Sequence, residues 1–290
     1  AGPRGHRTGQ RRKPRRNAVK PAFADHFGPF ALVAGASRGL GLAFARAIAA
    51  RGVNLVLVSE NEAELAAAAA SIEGVEVQTF CCDLKDADAP LHIDRFCRPL
   101  DVGLLVCNAT HVDLGPFLDN DLDTHLAVVA VNCAATTALC HLFGQRMAQR
   151  GRGGIVLMSS LTAFMGTPCV SVYGASKAFD LALAEGIGNE LEGLGVHVLA
   201  CAPGAVATPN YLASIPDGVK SPAPLLQPDD VAEEALDSLG VRRVRVPGAK
   251  NRLLAFLLSR LLPRQLAVRI MGSATRKLYG NRSSGKGERP

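Results

Sequence analysis

The sequence predicts an α/β fold, a doubly wound parallel sheet of about seven strands with helices on both faces. Three observations predict it. Short runs rich in Val, Leu and Ile alternate with helical stretches along the chain, and strands that alternate with helices pair in parallel under cover on both sides. A glycine-rich loop joins the first such strand to the first helix, where an open α/β sheet presents backbone to a ligand. Hydrophobic residues make up 48% of the 290, enough for one large core.

The first strand is FALVA (30–34), followed by the glycine loop and by LAFARAIAARG, whose apolar residues recur at helical spacing. VNLVLV (53–58) is the second strand, and NEAELAAAAASI after it is a strong helix former. VEVQTF (75–80) reads as a strand, and VGLLVC (102–107) follows a short helix. GGIVLMSS (153–160) and GVHVLAC (195–201) flank a helix that contains Tyr173, and VRRVRV (241–246) is the last strand. Beyond it, KNRLLAFLLSRLLPRQLAVRIMG mixes apolar residues with arginines. It predicts two helices parted at Pro263, a residue suited to a first helical turn. The organisation expected is a basic disordered tail over 1–28, a sheet domain over 29–248, and a basic, apolar helical extension with its own tail over 249–290.

A net charge of +6 hides an asymmetry. Residues 1–28 carry eight Lys/Arg against one acid, residues 242–290 thirteen against one, and the body between them eleven against twenty-four. Basic ends attract anionic surfaces, but these lack interleaved aromatics and the acidic body opposes a polyanion, so no nucleic-acid partner is expected. No uninterrupted apolar run of the roughly 18 residues a bilayer requires is present, and no apolar run with a cleavage site follows the basic N-terminus. A cytoplasmic protein is expected. The eight cysteines form no C-x-x-C pair and sit mostly in apolar stretches, so free thiols and no metal site are expected.

Tyr173 is one of three tyrosines and stands four residues before Lys177, in SVYGASKAFDLAL. On a helix the two share a face. A free phenol, with a pKa of about 10, exchanges its proton inefficiently near neutrality, and an adjacent ammonium favours the phenolate. The pair is a candidate for proton transfer.

The glycine loop is VAGASRGLG, Val33 to Gly41. Gly35, Gly39 and Gly41 let backbone turn tightly against a pyrophosphate, and the helix N-terminus adds free N–H groups and a positive dipole end. Ser37, Arg38 and Leu40 complete the loop. Its G-x-x-x-G-x-G spacing, with Tyr173 and Lys177, resembles the short-chain dehydrogenase/reductase family, motif by motif over 29–248. The resemblance implies a Rossmann-like fold. It places Asp83 of CCDL against an adenine, with Leu84 beside it. CNAT matches the family's N-N-A-G at Asn108 and Ala109 and departs at Cys107 and Thr110; Ala34 stands where the family usually has Thr. AVNCAA carries Asn132, MSS ends in Ser160 thirteen residues before Tyr173, and APGAVAT supplies Pro203, Gly204, Val206 and Thr208 for the loop around a nicotinamide. Singly, each has an ordinary reading as a strand end, a cap or a turn; their shared order and spacing carry the resemblance.

What the resemblance implies is an NAD(P)-dependent oxidoreductase moving a hydride between nicotinamide and a carbonyl or secondary alcohol. Tyr173 is then the acid/base, Lys177 tunes it and holds the nicotinamide ribose, Ser160 donates to the developing oxyanion, and Asn132 anchors a relay water. Arg38 would pair with a 2′-phosphate, whereas Glu60, after the second strand, would accept from a ribose hydroxyl. NADP is expected, with NAD the alternative. The apolar, basic extension points to a lipophilic substrate, fatty-acyl or steroid-like, and to peripheral membrane contact through 249–272; packing on its own domain is the plainer alternative. Gly174, Ala175 and Ser176 suit close helix packing in a homo-oligomer. The competing reading is a catalytically weak, dinucleotide-binding regulatory protein of the same fold, for which Thr110 speaks and the Ser160, Tyr173 and Lys177 set speaks against.

Overall fold

The computed structural model describes residues 23–216, 218–219, 221 and 224–281. Of the tail expected over 1–28, residues 1–22 lie outside the described residues, as do 282–290 at the other end. Seven strands, β1 (Phe30–Ala34), β2 (Asn54–Ser59), β3 (Val77–Cys81), β4 (Val102–Cys107), β5 (Gly153–Met158), β6 (Val196–Cys201) and β7 (Val244–Arg245), form one parallel sheet ordered β3-β2-β1-β4-β5-β6-β7. The order reverses at β1, which pairs with β2 on one side and β4 on the other. Ligands of open α/β sheets bind at such a reversal, beyond the carboxyl ends of the strands.

Eleven helices are described: α1 (Phe23–Phe27), α2 (Gly39–Ala49), α3 (Glu62–Ala70), α4 (Ala89–Phe96), α5 (Leu122–Val129), α6 (Thr136–Arg150), α7 (Ser171–Glu192), α8 (Pro209–Ser214), α9 (Pro228–Ser238), α10 (Ala249–Phe256) and α11 (Arg264–Tyr279). They cover both faces of the sheet. Phe44 and Ile48 of α2 and Val231 and Leu236 of α9 pack with Leu55 and Leu57 on one face. Ile93 of α4 and Leu139 and Phe143 of α6 pack with Leu105 and Leu157 on the other.

Disorder through residue 28 does not hold, because α1 is folded onto the sheet. Phe27 is buried, and a Cβ on Gly154 would come within 2.8 Å of its ring. A Cβ on Gly103 would come within 2.6 Å of the Phe27 and Gly28 carbonyl oxygens. Two strand glycines thus leave a slot, and FADHFG supplies the aromatic residue that fills it. The last strand is also shorter than VRRVRV suggests. Ser238 O accepts the N–H groups of both Val241 and Arg242, which holds 241–242 in a turn and leaves only Val244–Arg245 to pair with β6.

A π turn, Ala130–Ala135, joins α5 to α6. The helical run Leu122–Arg150 is long and apolar enough to cross a membrane, which the sequence reading did not anticipate, yet 44% of its most apolar window is buried inside the protein. Two helices do part near Pro263, as expected: α10 runs into a π turn, Leu257–Leu261, and α11 follows the proline. They pack against the segment after β5. Leu258 and Ala267 meet Met165, a Cβ on Gly272 would come within 2.9 Å of the Pro168 ring, and Leu278 and Tyr279 cluster with Cys169 and Val170.

Candidate active site

Strand register brings the glycine loop to the reversal. Ala34, the last residue of β1, pairs with Val58 and Cys107, and its carbonyl accepts the N–H of Asn108 at 3.1 Å and of Ala109 at 2.7 Å. The contact that a Thr side chain would make at position 34 is made here by backbone. Asn108 Nδ2 donates to Gly35 O at 2.8 Å. Two glycines are obligatory. Gly35 has φ +81°, and a Cβ there would lie 2.6 Å from Ala109 Cα; a Cβ on Gly41 would lie 1.9 Å from Gly35 O. The first turn of α2 has no acidic residue and no side-chain cap, so the glycine loop leaves its first N–H groups and dipole end as a cradle. That cradle fits a pyrophosphate. Thr208 closes it, close to Gly39, and its Oγ1 accepts the Tyr211 N–H at 3.2 Å.

The residues expected to meet an adenosine are engaged with neighbours. Arg38 Nη1 pairs with Glu64 Oε1 at 3.0 Å, Ser37 Oγ donates to Glu64 Oε2 at 3.2 Å, and Ser59 Oγ donates to Ser37 Oγ at 3.1 Å. Asp83 Oδ1 accepts the Lys85 N–H at 2.9 Å and Oδ2 lies 3.1 Å from Lys85 Nζ. Partial burial pulls the Asp83 carboxyl upward, but these Lys85 groups outweigh it and hold it below the usual range. Leu84 is buried beside it.

The proton-transfer candidates meet at the end of β5. Tyr173 and Lys177 share a face of α7, with Nζ 5.7 Å from the centre of the phenol ring. Lys177 Nζ donates to Met158 O at 2.8 Å and to Asp180 Oδ2 at 3.0 Å. Asn132 is 1% exposed. Its Nδ2 donates to His111 O at 3.0 Å and to Ser176 Oγ at 2.9 Å, while Oδ1 accepts the His111 N–H at 2.8 Å. Ser176 Oγ donates in turn to Tyr173 O at 2.8 Å. Both amide hydrogens of Asn132 are thereby used, which leaves spare acceptor capacity on Oδ1. Ser160 Oγ accepts the Thr162 N–H at 3.2 Å; among the described residues no hydrogen bond joins it to the Tyr173 hydroxyl. Leu161 N donates to Pro203 O at 2.9 Å, tying the Ser160 loop to the segment Pro203, Gly204, Val206. Gly204 lies against the Asn251 side chain of α10, where a Cβ would come within 2.8 Å.

The departures at Thr110 and Cys107 are accommodated. Cys169 is the one non-glycine residue with positive φ among those described, so Thr110 is not strained. The Cys107 thiol hydrogen-bonds with the Cys140 thiol, which together with burial holds it well above its usual range. Two residues escaped the sequence reading. Asp113, fully buried, accepts the N–H groups of Val172 and Tyr173 at the start of α7. Asp180 grips Lys177 from within the same helix. The signal for Asp180 was available, three residues past Lys177; Asp113 carried none.

Apolar side chains flank the phenol. Tyr173 packs against a cluster of Cys169, Val170, Leu278 and Tyr279, which Leu114 and Ile215 also join.

Comparison with known proteins gives the context. A family model described as short chain dehydrogenase matches residues 29–216. A 7beta-hydroxysteroid dehydrogenase of Collinsella aerofaciens is 30% identical over 234 residues, covering 79% of this chain and 89% of its own. A very-long-chain 3-oxoacyl-CoA reductase of Phaeosphaeria nodorum is 32% identical over 239 residues, covering 78% of this chain and 67% of its own. A solved structure, from work on 7beta-hydroxysteroid dehydrogenase stereoselectivity, superposes with a TM-score of 0.81 at 28% identity, over 86% of this chain and 99% of that one.

Proposed function

The chain belongs to the short-chain dehydrogenase family, and we propose that its substrate is a lipophilic ketone or secondary alcohol, steroid-like or fatty-acyl. It is an NAD(P)-dependent oxidoreductase. The apolar cluster around Tyr173 carries the substrate reading: a phenol among Leu114, Val170, Ile215 and Leu278 suits a molecule that presents one polar oxygen on a hydrocarbon body. The names of the relatives above point the same way.

When bound, the dinucleotide supplies or accepts the hydride. Gly35, Gly39, Gly41 and the first turn of α2 hold its phosphates, with Ser37, Leu40, Asn108, Ala109, Asp83, Leu84, Pro203, Gly204, Val206 and Thr208 around it. Tyr173 gives the proton to the substrate oxygen in reduction and takes it in oxidation. Lys177 sets its ammonium beside the phenol ring and keeps one N–H beyond those given to Met158 and Asp180 for the ribose. Ser160 donates to the oxygen as charge gathers there. Asn132 locks the His111 loop to α7 and offers Oδ1 to a relay water. Arg38 meets a 2′-phosphate once it parts from Glu64, which favours NADP over NAD. Self-association uses the exposed apolar side chains of α5 and α7, Leu122, Leu126, Val129 and Phe179. The α10–α11 hairpin meets an anionic membrane surface.

The test is a panel of steroid, fatty-acyl and small polar ketones and alcohols, followed by nicotinamide absorbance with both dinucleotides, in wild type and Tyr173→Phe. Turnover of lipophilic members is expected, with a loss of at least about a hundredfold in Tyr173→Phe and near-unchanged dinucleotide binding. Equal turnover of small polar substrates removes the substrate reading; an active Tyr173→Phe removes the acid/base.

A further inference from the structure

The helix that carries Tyr173 and Lys177 carries a third polar group on its buried side. Residues three apart on a helix are neighbours, and Asp180 Oδ2 accepts from Lys177 Nζ at 3.0 Å. Both residues are sealed from water, Lys177 at 3% and Asp180 at 2% exposure. The second oxygen, Oδ1, has no hydrogen-bond partner among the described residues. A buried ion pair repays its desolvation only when the remaining lone pairs are satisfied, and here one is not. An apolar side chain at position 180 would leave the buried Lys177 ammonium without its carboxylate, so the aspartate's place is tied to the lysine and not to packing alone.

The groups that face the pair leave its charges as the dominant ones. Cys107 faces it from β4 and Cys133 from the π turn, and Cys140 of α6 hydrogen-bonds to Cys107. The bond with Cys140 and burial raise the Cys107 thiol, and burial followed by the nearby Asp180 raises Cys133, so both stay neutral near neutrality. From β5 comes the uncharged Met158 carbonyl. On α7 itself, Tyr173 lies across the ammonium at 5.7 Å. Burial lifts the Asp180 carboxyl, and the Lys177 ammonium pulls it back.

We propose that Asp180 is a positioning residue for the proton transfer: it pins the Lys177 ammonium against β5, and its negative charge reduces the positive potential felt by the Tyr173 phenol. The proposal rests on the acid/base reading of Tyr173 given above. An aspartate here makes the phenolate harder to form than a lone lysine would. Removing the charge therefore favours the phenolate and extends alcohol oxidation to more acidic conditions.

The test compares wild type, Asp180→Asn and the charge-keeping Asp180→Glu in the full chain. One readout is the NMR signal of the lysine side-chain ammonium groups, with Lys177 assigned by its loss in Lys177→Arg. The other is the pH profile of alcohol oxidation, with dinucleotide affinity measured by NADPH fluorescence. The Lys177 signal is expected to be slowly exchanging in wild type, lost in Asp180→Asn and restored in Asp180→Glu. The acidic limb of the profile moves down by roughly half to one pH unit in Asp180→Asn, while dinucleotide affinity stays within about threefold. An unchanged Lys177 signal overturns the pairing. A changed signal with an unmoved limb in an active variant overturns the role and leaves Asp180 as packing. If wild type oxidises no alcohol and reduces no ketone, the functional reading falls and this role with it, while the NMR arm still decides the pair. If Asp180→Asn does not fold, Asp180→Ser is read in the same way.

Discussion

Asp113 and Tyr173 are bonded across 60 residues of sequence: Asp113 Oδ1 accepts the Tyr173 N–H at 2.8 Å, and Oδ2 accepts the Val172 N–H at 3.1 Å. The carboxylate thereby meets the positive end of α7 and two N–H groups that no helical carbonyl can reach. His125 Nδ1 lies 3.4 Å from the same Oδ2. Asp113→Ala leaves both N–H groups without this acceptor and is expected to destabilise the fold by about 2 kcal/mol. Asp113→Asn keeps one acceptor and loses less. The urea midpoints of the two variants check this; an Asp113→Ala midpoint equal to wild type would show that α7 starts without its cap.

Glu64 competes for the group that would recognise a 2′-phosphate. Its carboxylate holds Arg38 at 3.0 Å and Ser37 at 3.2 Å, and Arg38 is half exposed. An exposed pair of this kind contributes roughly 0.2–1 kcal/mol. Glu64→Gln is expected to tighten NADPH binding by about twofold to fivefold and to leave NADH nearly unchanged. Titration of both by fluorescence checks it; equal gains for the two dinucleotides would place Arg38 away from the phosphate.

The segment of α10, the π turn and α11 shows water several large apolar side chains, with Leu253 and Leu261 each 60% exposed and Phe256 53%. From Ala249 to Gly280 it contains basic residues and no acid. Such a surface gains from burial in a bilayer edge and from attraction to anionic headgroups. The intact chain is expected to bind phosphatidylserine vesicles and not neutral ones. Replacing Leu253, Phe256 and Leu261 together by Ser should weaken that binding by at least about tenfold. Sedimentation with vesicles measures it, and failure of the intact chain to sediment ends the membrane reading.

Much of this was readable before any coordinates. Six of the seven strands fall within two residues of the runs that suggested them; for all of these but the edge strand β3 the reason is that a strand buried on both faces must be apolar throughout. The glycine loop, Asn108, Tyr173 and Lys177 converge because the parallel order brings the carboxyl ends of β1, β4 and β5 to one rim. Contacts between distant segments were not readable. Asp113 caps α7 from the loop after β4, and Glu64 reaches back to Arg38 from α3. Asp180 was in plain view, but an acid three residues after a lysine ordinarily marks a solvated helix face; only the packing of α7 against the sheet and the π turn turns it inward. The folding of 23–28 depended on glycines at 103 and 154, whose meaning appears only when Phe27 is set against them.

The seating of α11 beside Cys169, Val170 and Tyr173 also fixes an order of events. A ribosome makes the glycine loop of residues 35–41 and its neighbours Asn108 and Ala109 well before it makes Leu278 and Tyr279. The glycine loop is therefore in hand before the residues that close the flank of the phenol are made.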